Sequence, residues 1–190
     1  MSLLRPTREQ IQSEIVDTAA RLFARHGFEQ TSLQRVADAV GYSKAGLLHH
    51  FPTKESLQEA AIDSCLHLVD DLRERAEGLP VGVGRDRALL EGVVDLAQAR
   101  TGLVSLLITS GVAAEAPSER VQAVFDGLVR SFDPTLEHEP DPGRLVRLTV
   151  ALGGIALTVV ACREDPAITP EVLAPQLLAA AVGALGHPTV

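Results

Sequence analysis

The hydrophobic residues at the start of the chain recur every three or four positions, which is the spacing of one face of an α-helix. From residue 7 to residue 26 the pattern is carried by residues such as Ile15 and Phe23, with polar residues between them. Gly27 follows at once, and glycine is the residue that most often ends a helix. The pattern therefore predicts a first amphipathic helix over residues 7–26.

Two shorter hydrophobic runs follow this first helix. One begins at Ser32, a good N-cap residue, and ends at Gly41. The next begins at Ser43, turns Leu47 and Leu48 inward, and stops at the following proline. Two short helices joined by a tight glycine turn predict a helix-turn-helix, whose second helix can enter the major groove of DNA.

The remainder of the chain has the same helical periodicity. Lys54 opens a long amphipathic run to about Glu77, and a turn-rich segment at residues 78–84 follows it. Residues 133–143 form an acidic loop that contains prolines. Further helices are predicted at about residues 85–98, 102–115, 118–132, 144–163 and 170–185. The predicted fold class is therefore all-α.

Residues 148–162 differ from the other predicted helices because they are apolar on almost every side. At fifteen residues the run is shorter than the roughly twenty that span a bilayer, so we expect it to be buried in protein. Gly153, Gly154 and Ala156 would let another backbone come close. We expect a subunit interface at this helix, and the alternative is the core of a monomer.

The composition is that of a globular protein, with 46% apolar residues in a chain of 190. The net charge of −8 argues at first against the binding of nucleic acid, but the charge is unevenly distributed along the chain. Through Lys54 there are seven basic and five acidic residues, whereas the remainder has ten basic and twenty acidic residues. A mildly basic head on an acidic body can bind phosphate locally. The N-terminus has no apolar region suited to secretion, so we expect a cytoplasmic protein without a membrane partner.

Metal and redox chemistry find little support in the sequence. Cys65 and Cys162 lie in apolar segments without metal-ligand spacing, and we expect both to be reduced and buried. His138 lies among acidic residues that could hold a divalent metal, but a solvated loop is the better interpretation. The sequence contains no nucleophile motif, no phosphate-binding glycine loop and no spaced set of metal ligands. We therefore expect no catalysis, no metal and no cofactor.

Several residues of the predicted helix-turn-helix region fall together at the spacing of a known family. They are Gly27-Phe28, Thr31-Ser32-Leu33, Val36-Ala37, Gly41-Tyr42-Ser43, Leu47, His50-Phe51 and Lys54-Glu55-Ser56-Leu57. This set closely resembles the DNA-binding head of the TetR family of bacterial transcriptional regulators. The resemblance implies a helix-turn-helix head at residues 1–54, a connecting helix at residues 55–77, and a helical effector-binding and dimerisation body at residues 78–190.

The residues expected to contact DNA lie in and around the helix-turn-helix. Lys44 begins the recognition helix, and His50 occupies a position that commonly contacts phosphate in the family that the chain resembles. A serine at a helix N-terminus can cap the helix and bind phosphate at the same time. The full set is Ser32, Arg35, Tyr42, Ser43, Lys44, His49, His50 and Lys54.

The recognition helix departs from the family pattern at two positions. Leu48 stands where the family very often has tyrosine, and Gly46 stands where threonine is common. Two hydroxyl groups that contact phosphate are thereby missing, so Tyr42, His49 and His50 carry more of the expected DNA contact. The departures leave open an alternative function, that of a helical ligand-binding or interaction module that has lost operator binding.

The resemblance also implies what the body does. It implies a repressor that binds a palindromic operator in double-stranded DNA as a homodimer and is released by a small, largely apolar ligand. The polar residues expected at the effector pocket are His67, Arg100, Thr109 and Thr149. In the family the last two helices of each protomer pair into a four-helix bundle. The interface residues expected on this basis are Leu152, Gly153, Ile155, Ala156, Val159, Leu177, Ala180 and Ala181.

Overall fold

The computed structural model describes residues 7–188, and throughout this range the chain folds into helices without a strand. The α-helices of the described range are α1 (Arg8–His26), α2 (Leu33–Val40), α3 (Lys44–His50), α4 (Lys54–Arg75), α5 (Val83–Ala99), α6 (Thr101–Leu107), α7 (Glu119–Phe132), α8 (Pro142–Cys162) and α9 (Pro170–Ala184). A π-helical turn, Ile108–Val112, continues α6, and a 3-10 turn, Pro134–Glu137, follows α7. The all-α prediction is confirmed.

The helices of the helix-turn-helix begin and end as predicted because their caps are satisfied. The Ser32 hydroxyl oxygen accepts a hydrogen bond from the backbone N–H of Arg35 at 3.2 Å. The Ser43 hydroxyl oxygen accepts one from the N–H of Gly46 at 3.0 Å. Gly41 ends α2 with a φ of 72°, a left-handed conformation that glycine adopts without steric cost.

A hydrophobic core holds α1, α2, α3 and the first half of α4 together. Phe23, Leu47 and Phe51 are buried in it, and Phe28 is half-buried with its ring centroid 5.3 Å from that of Phe23. The prediction that Leu48 turns inward is wrong, because its side chain is 37% exposed. Consecutive residues of a helix point about 100° apart, so Leu47 and Leu48 cannot both face the same core.

This core extends beyond the head, because α6 packs along α1. Gly102 in the first turn of α6 makes the contact possible, since a Cβ at this position would overlap the backbone carbonyl oxygen of Asp17. The Asp17 carboxylate accepts hydrogen bonds from the N–H groups of Gly102 and Leu103 at 3.3 and 3.1 Å. A side chain of α1 therefore satisfies the free N–H groups at the start of α6.

A second core joins the end of α4 to α5, α7, α8 and α9. A buried ion pair lies at its edge, where Arg144 of α8 donates to both carboxylate oxygens of Asp86 on α5, at 2.8 and 2.6 Å. The Nε2 atom of His187, beyond α9, lies 2.6 Å from one of these oxygens. Such bidentate pairing offsets the hydration that the two charged groups lose when they are buried. These three side chains therefore link α5, α8 and the segment that follows α9.

Three details of the body differ from the prediction. The helix expected over residues 102–115 is regular only in its first half, and in the π turn that follows, Gly111 lies against the ring of Phe125. The acidic loop contains a 3-10 turn, because Leu136 is buried and anchors it. Cys162 is only half-buried, since it is the last residue of α8. Both cysteines are free thiols.

Within the described part of the chain, α8 is the helix whose length and composition would suffice to cross a membrane. Its 21 residues exceed the apolar run seen in the sequence because the helix begins at Pro142. One side of α8, including Leu148 and Val159, packs in the second core against α5 and α9. The predicted burial in protein therefore holds for that side of the helix.

Candidate nucleic-acid interface and ligand cavity

The second helix of the helix-turn-helix, α3, has one continuous exposed face. Lys44 and Ala45 in its first turn and Leu48 and His49 in its second are exposed, whereas Leu47 is buried. A short exposed helix of this kind fits the major groove of DNA. There a lysine can bind a guanine edge or a phosphate, and an apolar side chain can contact the methyl group of thymine. Lys44 and His49 thus lie on the accessible side of the helix.

Tyr42 and His50 flank this face and contact each other. Their ring centroids are 6.3 Å apart in an edge-to-face arrangement, and both side chains are half-buried. The ring of His50 also lies 5.7 Å from that of His49. Its Nδ1 atom is buried without a hydrogen-bond partner among the residues from 7 to 188. The orientation of His50 is therefore set by packing against neighbouring rings.

Arg35 lies on the exposed side of α2, one turn after the cap residue Ser32. Its Nη2 atom is 3.0 Å from Nε2 of His26 on α1. The pKa of His26 is lowered, first by partial desolvation and then by the charges of Arg35 and Arg25. A neutral imidazole accepts the hydrogen bond from the guanidinium, whose fork of five N–H donors still leaves donors for a phosphate.

Lys54 is the predicted DNA contact with the clearest role inside the head. Its Nζ atom donates to the carbonyl oxygen of Phe28 at 2.8 Å and lies 4.2 Å from the centroid of the Phe28 ring. The Glu29 carboxylate is 3.8 Å away. These contacts tie the start of α4 to the turn between α1 and α2. Because the ammonium group already has partners, a phosphate contact from Lys54 stays a prediction.

The body contains an apolar cavity of about 340 Å³, lined by residues of α4, α5, α6, α7 and α8 and partly open to solvent. This volume is at the lower end of the range for small-molecule sites, about 300–1,000 Å³. Leucine, valine and isoleucine side chains form most of the wall, and Phe125 is its one aromatic residue within the described range. Arg100 is the one charged residue of the wall within that range. The cavity suits a ligand with a small apolar body.

Two of the four polar residues predicted for an effector pocket line this cavity and two do not. Arg100, at the junction of α5 and α6, and Thr149 on α8 belong to its wall. His67 and Thr109 are exposed and lie outside it, and the Thr109 hydroxyl donates to the carbonyl oxygen of Ser105. These two placements are corrections, and their physical reason is that both side chains point away from the hydrophobic face of their helices.

The sequence did not identify the aliphatic residues of the cavity wall as ligand contacts. Leu68, Leu107 and Leu128 are typical examples, each at a hydrophobic position of an amphipathic helix. Periodicity gives the same signal for a side chain that fills a core and for one that borders an empty space. Only the tertiary structure shows which side chains fill a core and which border a cavity.

The residues predicted for the dimer interface divide between the core of the protomer and its surface. Four of its eight residues are buried in the core of the protomer itself, namely Ile155, Val159, Leu177 and Ala181. The other four, Leu152, Gly153, Ala156 and Ala180, are half-buried or exposed. The apolar side chains that α8 leaves uncovered are Val146, Val150 and Leu157. A helix that is apolar on every side does not reveal in its sequence which side faces its own core.

Known proteins resemble this chain in the sequence of its head and in its overall fold. Residues 15–61, from α1 into α4, match the family model of the bacterial regulatory proteins of the tetR family. The HTH-type transcriptional repressor KstR2 of Rhodococcus jostii is 35% identical over 83 residues, which are 44% of this chain and 39% of KstR2. The HTH-type transcriptional repressor Rv1474c of Mycobacterium tuberculosis is 29% identical over 159 residues, which are 80% of this chain and 83% of Rv1474c.

A solved structure extends the similarity over the body. The crystal structure of AibR in complex with isovaleryl coenzyme A and operator DNA matches with a TM-score of 0.56 and 26% identity. The match covers 94% of this chain and 99% of AibR. The all-helical fold and the exposed α3 define a protein of the helix-turn-helix class. More specifically, residues 15–61 match the DNA-binding head of the tetR family of bacterial regulatory proteins, which is the family that the motifs of this region resemble.

Proposed function

We propose that this protein is a sequence-specific transcriptional repressor that a small, largely apolar ligand releases from a palindromic operator. One observation carries the proposal: the same chain combines an exposed recognition helix with an apolar cavity of about 340 Å³ in its body. A protein that only clamps DNA needs no such cavity. The related KstR2 and Rv1474c are transcriptional repressors, which favours repression over activation.

The proposed DNA contacts are the eight head residues that the sequence singled out. Lys44 would bind a base edge or the adjacent phosphate from the first turn of α3. The N-termini of α2 and α3, capped by Ser32 and Ser43, would bind phosphates through their free N–H groups. Exposed Leu48 would contact a thymine methyl group in place of a hydroxyl contact to phosphate.

A palindromic operator requires a twofold dimer, because each half-site takes one recognition helix. We place the dimer interface on the uncovered stripe of α8 that carries Val146, Val150 and Leu157. A Cβ atom at Gly153 or Gly154 would meet nothing within the protomer, so the space beside them is open to a partner's backbone. Burial of such apolar area contributes about 25 cal/mol per Å².

The position of the cavity supports coupling between the ligand and the head. Leu103 of α6 lines the cavity, and its backbone N–H is bound by Asp17 of α1 in the head. A ligand that displaces α6 would therefore displace α1 and, through the shared core of the head, the recognition helix. Because half-sites lie about one helical turn of DNA apart, a small pivot of one head would misplace it on the operator.

The alternative function is a helical ligand-binding or interaction module without operator binding. Two observations favour it: α3 has glycine and leucine at the positions of the missing hydroxyls, and the Lys54 ammonium group is engaged within the head. Both functions use the same cavity, so they differ in whether the head distinguishes DNA sequences.

Fluorescence anisotropy with labelled duplexes separates the two functions. The purified protein is titrated with the region upstream of its own gene and with a scrambled duplex of equal composition, across a series of salt concentrations. A regulator should prefer the upstream duplex by about 10³-fold or more. Equal and steeply salt-dependent binding would call for selection from random duplexes, and failure of that selection to enrich any sequence would favour the module.

A further inference from the structure

We propose that the cavity binds a medium-chain aliphatic carboxylate, with the hydrocarbon chain between α4, α6, α7 and α8 and the carboxylate paired with Arg100. This inference rests on the proposed function, because it specifies the chemical class of the ligand for the same cavity. Two independent features of the cavity carry it, the aliphatic wall and the single charged residue.

The wall of the cavity selects for a flexible hydrocarbon. Most of the lining side chains are aliphatic, with Leu68, Leu128 and Leu152 on three different helices. Phe125 is the one aromatic ring of the described wall, so flat aromatic ligands find little to stack on. A sugar or another polyol would lose its hydrogen bonds with water and gain few in return. A saturated hydrocarbon chain makes no hydrogen bonds with water, so it loses none when it enters the cavity.

The volume of the cavity limits the length of this chain. A water molecule in the liquid occupies about 30 Å³, and a methylene group is similar in size. The cavity of about 340 Å³ therefore holds roughly ten non-hydrogen atoms. Octanoate has this number of non-hydrogen atoms, whereas an acyl coenzyme A would have to leave its nucleotide outside.

Arg100 supplies the charge that selects for an anion. Its side chain is half-buried at the sharp junction where α5 ends and α6 begins. Within residues 7–188, no hydrogen bond or ion pair engages the Arg100 side chain. The carboxylate of nearby Asp17 is committed to the N–H groups of Gly102 and Leu103. An arginine in the wall of an apolar cavity, without an acidic partner among residues 7–188, is well matched to a carboxylate, which its guanidinium can bind with two parallel hydrogen bonds.

Isothermal calorimetry with three probes tests the ligand class directly. The probes are octanoate, 1-octanol and octanoyl coenzyme A, measured at pH 7.5 on the full chain. Octanol offers the same chain without the charge, and the thioester offers the same acyl group without the carboxylate. We expect octanoate to bind at least about tenfold more tightly than octanol, since a charge-assisted pair is about twice as strong as a neutral hydrogen bond.

Substitution of Arg100 assigns the difference to one side chain. Arg100→Gln should weaken octanoate binding about tenfold and leave octanol binding unchanged, whereas Arg100→Lys should retain part of the preference for the acid. The matched control is Arg87→Gln on α5, the helix that Arg100 follows, because Arg87 is exposed and pairs only with the surface residue Glu91 within the described range. Circular dichroism and thermal unfolding of each variant establish that it is folded.

Three results would overturn the inference. These are equal affinity of the wild type for octanoate and octanol, unchanged octanoate affinity in Arg100→Gln, and binding of octanoyl coenzyme A without binding of octanoate. The operator titration without ligand is a separate measurement. Octanoate binding without operator binding would refute the proposed regulator and leave the ligand class standing, and operator binding without octanoate binding would do the reverse.

Discussion

The two lysines of the head have different environments, and this decides how each of them can take part in DNA binding. Lys44 extends from the start of α3 into solvent, whereas Lys54 at the start of α4 donates to the Phe28 carbonyl and lies over the Phe28 ring. The two are the only lysines of the chain, so their contrast is a natural test of the proposed interface.

Replacement of Lys44 by alanine should weaken operator binding and leave folding almost unchanged. We expect a loss of about 1–3 kcal/mol in binding free energy if Lys44 contacts a base. If it only neutralises a phosphate, the slope of the logarithm of the binding constant against the logarithm of the salt concentration should become shallower by about 1. Anisotropy titrations across salt concentrations measure both quantities. Lys54→Ala is the comparison, and it should lower the free energy of unfolding by about 1–3 kcal/mol because the Phe28 carbonyl loses its donor. Unchanged affinity and slope in Lys44→Ala would remove it from the interface.

Cys65 should make the protein less stable at alkaline pH. Burial, followed by the nearby charge of Asp17, raises the pKa of its thiol from 9.0 to about 12. Because the native thiol keeps its proton while the unfolded one loses it above pH 9, this stabilising contribution is complete below pH 9 and is lost as the pH rises towards 12.

Denaturant unfolding at pH 8 and pH 10 measures this effect. Between these two values the wild type should lose about 1.4 kcal/mol more stability than Cys65→Ala, which corresponds to one pKa unit of titration in the unfolded chain. The variant serves as the control for all other groups that titrate in this range. Equal losses in the two proteins would show that Cys65 is accessible to solvent in the native state.

Among the helices, α6 has the position that connects the two cores. It packs along α1 of the head, lines the cavity of the body, and continues into the π turn that ends beside Phe125. Its start is held by the Asp17 carboxylate and by the absence of a side chain at Gly102. In the sequence this segment is an ordinary apolar helix. Its contact with a residue 85 positions earlier follows only from the packing of the chain.

Gly102→Ala should separate α6 from α1. The added methyl group overlaps the backbone of Asp17, so we expect a loss of about 1–3 kcal/mol in the free energy of unfolding, measured by denaturant titration. Gly84→Ala is the matched control, because Gly84 is also near the start of a helix and a Cβ there meets nothing within 4 Å. The control should be neutral or stabilising by up to about 1 kcal/mol. Equal effects of the two changes would argue against the close contact.

At the scale of the whole molecule, Ile155 and Leu157 of α8 both border the cavity but differ in burial, so they should respond differently to substitution. Ile155 is 1% exposed in the core of the protomer, whereas Leu157, two residues later, is 59% exposed. The first side chain stabilises the protomer. The second belongs to the face on which we place the dimer.

Leu157→Arg should therefore give a folded monomer that loses operator binding. The charge would be buried against the apolar face of the partner, which opposes association. Analytical ultracentrifugation reports the mass, and circular dichroism reports the fold. By contrast, Ile155→Ala should keep the dimer and lower the free energy of unfolding by about 2–5 kcal/mol through the cavity that it creates. A Leu157→Arg protein that remains dimeric would place the interface elsewhere.

Signals that act over a few residues specified the local structure of this protein. Caps such as Ser32 and Ser43, the glycine that ends α2, and the hydrophobic spacing specify where helices begin and end, because these signals act within a few residues. The family motif, which lies within residues 27–57, is equally local. These features were predicted correctly, and with them the helix-turn-helix and the all-α class.

The tertiary structure alone decided which apolar faces meet. It turned Leu48 outward, directed Ile155 into the protomer instead of towards a partner, and left an empty space lined by Arg100 and Thr149 but not by His67. The sequence signal for each of these residues is hydrophobicity or polarity at a helical position, which is the same in a core, an interface and a cavity wall. The difference arises from where helices far apart in the chain pack, and no periodicity within one helix carries that information.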